Sequence, residues 1–199
     1  MHFLPMFQQL QRSDWNSYRK RKIEIYERAR KNKEVDDDLI PILDKINNLE
    51  KYVTISSCSG RIVVIEVENF GKKEDSEFLG KWHQNVSFEE IFSAILKARR
   101  QTWLIQYPPI IHIACKDFIC AKRLLEVSNN VGFRRSGIIS IENLIVEVSS
   151  LERLELPVAI EGRILMSEDY LRTVVEFANK KLKKGKEKLK KFEEVITFL

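Results

Sequence analysis

Between Tyr52 and Ile160 the chain never keeps one hydrophobic period for long. Runs rich in Val, Ile and Thr, the mark of half-buried strands, give way to stretches whose apolar residues recur every three or four positions. A two-residue period puts neighbours on opposite faces of a sheet, whereas a three-to-four-residue period builds one helix face, so a chain that switches between them must pack helices on strands. Strands are predicted around Tyr52 to Ser57, Arg61 to Glu68, Thr102 to Tyr107, Ile110 to Cys115, Ile138 to Ile141, Leu144 to Ser149 and Pro157 to Ile160. Their order with the helices is irregular, which predicts an α+β protein: a single domain over residues 1–199, three layers in the sense α/β/α, with a mixed sheet.

Helix boundaries are signalled by caps. Asp36 can cap a helix through Leu39, Ile42, Leu43 and Ile46, with Asp37 and Asp38 in its first turn. Ser87 and Glu90 make a capping box ahead of Phe88, Ile91, Phe92, Ile95 and Leu96, predicting a helix to about Arg99 or Arg100. Asp117 can cap a third helix carrying Ala121, Leu124, Leu125 and Val127, ending near Gly132. Ser167 opens a long terminal helix with Leu171, Val174, Val175, Ala178 and Leu182 on one face, which Gly185 can bend or fray. Upstream, Phe7, Leu10, Trp15, Tyr18, Ile23 and Tyr26 suggest one or two amphipathic helices with aromatic residues used for packing. Gly71 to Glu77 reads as an exposed loop, and Glu142-Asn143 as a hairpin turn.

The 199 residues suffice for a well-buried core, and 44% hydrophobic with 32% charged residues is an ordinary globular balance. No apolar run is long enough to span a bilayer, and Met1-His2-Phe3-Leu4-Pro5 lacks a signal peptide's basic start, so a cytoplasmic protein with no membrane partner is expected. Three cysteines, Cys58, Cys115 and Cys120, fit reduced thiols. Net charge is only +5, yet basic residues bunch from Arg19 to Lys33 and from Lys180 to Lys191. Such runs are either solvated helix faces or a track for a polyanion such as nucleic acid.

Thr54-Ile55-Ser56-Ser57-Cys58-Ser59-Gly60-Arg61-Ile62 breaks a strand pair with small hydroxyl residues and then an Arg. Ser and Gly let backbone N–H groups approach a ligand, and a guanidinium suits carboxylate or phosphate; the alternative is an ordinary hairpin turn. Gly-x-Gly-x-x-Gly and Walker-type loops are both missing, so a nucleotide-like cofactor must be held by other means. No metal is expected: His112 and Cys115 lie three apart on a strand and face opposite ways, and no fourth ligand joins them with Cys120. Cys58 with His83 or His112 as base is the pattern of a thiol hydrolase, though a buried structural Cys is commoner.

Taken in order, Ser57-Cys58-Ser59-Gly60-Arg61-Ile62, Gly80-Lys81-Trp82-His83, Ile111-His112-Ile113-x-Cys115 and Gly132-Phe133-Arg134-x-Ser136-Gly137-Ile138 form a series. It continues through Leu156-Pro157, Gly162, Glu168-x-Tyr170-Leu171 and Ala178-Asn179-x-Lys181-Leu182. The series closely resembles the tRNA wybutosine-synthesising protein 3 family from about Asp36 to the terminal helix. Upstream the family often has Lys-Gly-x-Val-Asp, where this chain reads Lys31-Asn32-Lys33-Glu34-Val35-Asp36.

The resemblance implies an S-adenosylmethionine-dependent methyltransferase, outside the doubly wound methyltransferase fold. Its target would be the N-4 ring nitrogen of a 4-demethylwyosine-type base beside the anticodon of tRNA-Phe. Under it, Ser57, Ser59, Gly60 and Arg61 line one side of a cofactor or base pocket, and Arg134, Ser136 and Gly137 the other. His83 and His112 are the candidate general bases, because imidazole titrates near neutrality. Lys81 and Trp82 would meet RNA backbone and a base face, and Lys181 and Lys184 belong to the basic track for the anticodon arm. A noncatalytic RNA-binding module and the Cys58 hydrolase are the competing expectations.

Overall fold

The computed structural model describes residues 14–68 and 76–199, so Phe7, Leu10 and most of the proposed Gly71 to Glu77 loop lie outside the described residues. In chain order the elements are α1 (Trp15–Lys31), a 3-10 turn (Asp37–Leu39), α2 (Ile40–Asn48), β1 (Tyr52–Cys58), β2 (Arg61–Val67) and β3 (Ser76–Trp82). They continue as α3 (Phe88–Ile95), β4 (Gln101–Tyr107), β5 (Ile110–Cys115), α4 (Phe118–Asn130), β6 (Gly137–Ser140) and β7 (Ile145–Ser149). Last come β8 (Leu154–Ile160), β9 (Arg163–Ile164), α5 (Glu168–Val195) and a closing 3-10 turn (Ile196–Phe198). The α+β class holds. In place of one mixed sheet the described residues form two, ordered β1-β5-β7-β6 and β3-β2-β4-β8-β9, and among them each strand pairing is antiparallel.

Two compact units interleave in sequence: residues 1–59, 109–151 and 187–199 in the first, 60–108 and 152–186 in the second. The first unit is the three-layer α/β/α arrangement. Tyr52, Ile111, Ile113, Cys115, Val146 and Val148 face a core shared with α2, α4 and the chain's last turns. On the opposite face Val53, Ala114 and Ile145 pack beneath Trp15, whose indole N–H donates to the Glu50 carbonyl at 2.8 Å. Trp15 is therefore a packing residue.

In the second unit Ile62, Val64, Leu104 and Val158 meet α3 and the first half of α5 through Ile91, Ile95, Leu171, Val175 and Ala178. The Ser87–Glu90 capping box forms as expected. The helix it opens is shorter than expected, ending at Ile95, because the buried Glu66 carboxylate accepts the backbone N–H groups of Arg99 and Arg100 and draws that segment into a turn. Asp117 caps α4 through the Cys120 N–H, and α5 runs helical through the buried Gly185. Asp36 departs from its expected role: it precedes only the 3-10 turn and its side chain makes no cap bond there, being engaged elsewhere.

Candidate functional site

The first unit holds a row of side chains that pattern reading does not place together. Across β1, β5, β7 and β6 the register partners are Ser56, His112, Glu147 and Gly137. Ser56 Oγ lies 2.8 Å from His112 Nδ1, and His112 Nε2 lies 3.0 Å from Glu147 Oε2. The row depends on an irregularity. β1 pairs Thr54 with Ile113 and then Ser56 with His112, leaving Ile55 as the extra residue of a bulge. Without it Ser56 would fall on the core face with Thr54; the extra residue turns it onto the face that carries His112.

The bulge is gripped from outside the sheet. Asn47, in the last turn of α2 and buried, accepts the Thr54 N–H at 2.9 Å and exchanges hydrogen bonds with the Thr54 hydroxyl at 2.9 and 3.1 Å. Next to it is a cleft of about 220 Å³ lined by Lys22, Ile25 and Tyr26 from α1, Val35, and Ile55, Ser56 and Ser57 from β1. Drug-sized ligand sites run to roughly 300–1,000 Å³. This cleft therefore suits a ring-sized group. Burial, reinforced by the Asp44 carboxylate 2.6 Å away, pushes the Tyr26 hydroxyl well above its ordinary range and keeps it neutral.

At the end of β1 the Ser59 N–H donates to Asp36 Oδ2 at 2.7 Å, which is where the missing cap carboxylate goes. Ser59 Oγ is fully buried and has no hydrogen-bond partner among the described residues. Gly60 has φ +89°, a left-handed turn that suits Gly. On the far edge strand of this sheet, about 14 Å away at the usual strand spacing, the turn before β6 is held by Ser136. Its hydroxyl donates to the Phe133 carbonyl at 2.7 Å and accepts from the Ser149 N–H at 3.3 Å. Gly137 leaves open space where a Cβ would stand, and Arg134 is exposed.

The second unit carries the other residues singled out by sequence. Arg61 lies between the Phe78 and Tyr107 rings, its guanidinium carbon 5.7 and 5.5 Å from their centroids, and its buried Nε–H has no partner among the described residues. Gln106, paired with Ile62 and so on the opposite face of the sheet from Arg61, is fully buried with neither end of its amide hydrogen-bonded among the described residues. Trp82 is half-buried against Gly80, and its indole N–H meets the Glu90 carboxylate, so packing fixes it. Lys81, on the other side of β3, is exposed, and His83 follows the strand half-buried. Lys181 is half-buried on α5, and Lys184 is 3.6 Å from the buried Glu152 carboxylate.

Cys115 and Cys120 are buried thiols whose ionisation is pushed up, first by burial and then by neighbouring thiol and Asp117 groups. His112 and Cys115 occupy opposite faces of β5, as expected. With both imidazole nitrogens engaged by Ser56 and Glu147, His112 has none left to activate Cys58. Sequence reading also missed a hollow of mixed charge, about 650 Å³, in the first unit, where Arg19, Lys20, Lys51 and Lys116 are set among Glu24, Glu27 and Glu50. Lys51 and Lys116 come together because the ends of β1 and β5 are paired.

Residues 9–197 match the family described as Methyltransferase TYW3. The chain belongs to this family. A relative from Archaeoglobus fulgidus is 49% identical over 185 residues, covering 93% of this chain and 94% of its own, and is named a tRNA(Phe) 7-((3-amino-3-carboxypropyl)-4-demethylwyosine(37)-N(4))-methyltransferase. One of the same description from Pyrococcus furiosus, numbered 1, is 47% identical over 83% of this chain and 86% of its own. A solved structure of a Pyrococcus horikoshii protein superposes with a TM-score of 0.87 at 41% identity, covering 92% of this chain and 96% of that one. A hypothetical protein from Aeropyrum pernix superposes at 0.72 with 30% identity, covering 82% and 98%. As a TYW3-family methyltransferase the chain requires a methyl donor, and neither sheet offers a Gly-x-Gly-x-x-Gly turn to hold one.

Proposed function

We propose that this chain methylates the N-4 ring nitrogen of a 4-demethylwyosine-type base beside the anticodon of tRNA-Phe, with S-adenosylmethionine as donor. The observation that carries this reading is the 49% identity, over nearly the whole of both chains, to a protein named for that reaction. Bound S-adenosylmethionine supplies an electrophilic methyl group on a sulfonium. The residues present fit such a ligand: among the described residues Arg61 keeps a buried N–H unused, which suits a carboxylate, and Ser59, two residues before it in sequence, keeps a buried hydroxyl unused.

Ser57, Ser59, Gly60 and Arg61 would hold the cofactor, with Arg134 and Gly137 as further contacts. Ser136 contributes by fixing their turn. Acceleration comes mainly from alignment, because holding the acceptor nitrogen in line with the methyl carbon removes most of the entropic barrier. His112 serves the proton that the nitrogen must lose, and His83 is the other imidazole proposed for that role. For the RNA, Lys81, Lys181 and Lys184 supply cations, and in the first unit Lys20, Lys51 and Lys116 add theirs. Trp82 bounds the RNA-facing side as a fixed wall. Among the described residues no helix is long and apolar enough to cross a membrane, in keeping with work on tRNA in the cytoplasm.

The test is transfer of labelled methyl from S-adenosylmethionine to tRNA-Phe carrying the demethylated tricyclic base. Arg61→Ala should lower transfer more than tRNA binding, and tRNA affinity should fall steeply with salt. A folded protein that neither transfers methyl nor binds the cofactor would overturn the proposal.

A further inference from the structure

We infer that Ser56 is the group of the first unit that meets the acceptor base, and that Ser56, His112 and Glu147 form a directed proton relay. The inference rests on the methyl-transfer reading above and changes which atom touches the substrate. A carboxylate only accepts hydrogen bonds, so the 3.0 Å contact with Glu147 places the proton of neutral His112 on Nε2. Nδ1 then carries the lone pair, and the Ser56 hydroxyl, 2.8 Å away, donates to it. Both ring nitrogens are used within the row, so the imidazole has no free nitrogen to offer a substrate. Ser56, in contrast, is exposed, lines the ring-sized cleft and keeps lone pairs on Oγ.

The proton balance follows from this arrangement. As the acceptor nitrogen gains the methyl group, its proton passes to Ser56 Oγ while the Ser56 hydroxyl proton moves to His112 Nδ1. The sulfonium donor leaves as a neutral thioether, and His112 becomes an imidazolium donating from Nδ1 to Ser56 and from Nε2 to the Glu147 carboxylate. Return of that proton through Ser56 to solvent resets the row. Ser56 is thus the catalytic residue, and His112 and Glu147 are positioning residues acting through it. Gly137 brings no side chain from β6, and the cleft that Ser56 lines is bordered by Lys22 and Tyr26 of α1 and by Glu34, with Tyr26 tied to Asp44 and Arg30.

Nitrogen-15 NMR of the imidazole in the free protein gives a readout independent of turnover, and the expected form of neutral His112 is the Nε2–H tautomer. In methyl transfer, Ser56→Ala should lower kcat by roughly 100-fold with the KM for S-adenosylmethionine unchanged, and Ser56→Thr should recover most of the loss. Glu147→Gln keeps the acceptor but removes the charge that supports the imidazolium, so the acid limb of the pH–rate profile should move to lower pH. An Nδ1–H tautomer, or Ser56→Ala within twofold of the unmodified chain, would overturn the relay. Absence of transfer by the unmodified chain would instead overturn the methyl-transfer reading itself.

Discussion

Replacing Asn47 by Ala tests whether the β1 bulge is held from α2. Asn47 and Thr54 are 7% and 6% exposed, and three contacts of 2.9 to 3.1 Å join them. Ala at 47 leaves two buried donors of Thr54, its backbone N–H and its hydroxyl, without their acceptor. Each stranded donor costs about 1–3 kcal/mol. Since β1 is an edge strand that water can partly reach, the sum should fall at about 2–4 kcal/mol. For a chain of this size that is a drop of about 4–16 °C in Tm, measured by circular dichroism. Thr54→Val is the matched comparison: it deletes only the hydroxyl, keeps the Asn47 contact to the Thr54 N–H, and should cost about 1 kcal/mol. Because the bulge sets Ser56 opposite His112, Asn47→Ala should also reduce methyl transfer at temperatures where the variant is still folded. A Tm change below about 1 °C, or a loss no larger than that of Thr54→Val, would refute the reasoning.

Two residues past the end of α1, Lys33 has φ +57°, with its N–H bonded to the Arg30 carbonyl and the Glu34 N–H to the Ala29 carbonyl, an arrangement that favours Gly. Lys33→Gly should therefore stabilise by about 0.5–1 kcal/mol once the entropy of Gly is set against the relieved strain, and a lower Tm would contradict this. Gly80→Ala would put a Cβ 2.1 Å from the Trp82 ring, so a loss of about 1–3 kcal/mol with altered tryptophan fluorescence is expected; an unchanged spectrum and Tm would count against it. The thiols of Cys115 and Cys120 and the Tyr52 hydroxyl are held protonated by burial, above their ordinary values of 9.0 and 10.0. Groups raised in this way stabilise the fold fully below the unfolded values and lose that effect as pH rises through the folded ones. The denaturant midpoint should accordingly fall from about pH 9 upward, and Cys115→Ala should flatten the fall; a midpoint constant to pH 11 would refute it.

Elements with local signals were legible in the sequence. Ser87 and Asp117 form the caps their spacing announces, and the strands from Thr102 to Cys115 lie where β-branched runs place them. Long-range register was not legible. Nothing local to Thr54-Ile55-Ser56 shows a bulge, yet that extra residue decides whether Ser56 faces the core or His112. Glu147 was hidden for the same reason, being an ordinary alternating acid until β7 is set beside β5. Asp36 was misassigned because an Asp before a helix has two possible clients, and the Ser59 N–H wins over the helix start. The departure at Lys33 marked a real feature: the position where the family often has Gly is a left-handed one here.

The most direct test is the nucleoside mass spectrum of tRNA-Phe bearing the 4-demethylwyosine-type base, taken after incubation with this chain and S-adenosylmethionine. The tricyclic nucleoside should gain one methyl group on the N-4 ring nitrogen, and the gain should vanish without the cofactor. An unchanged nucleoside from folded, tRNA-binding protein, or a methyl group placed on any other atom, would contradict the assignment.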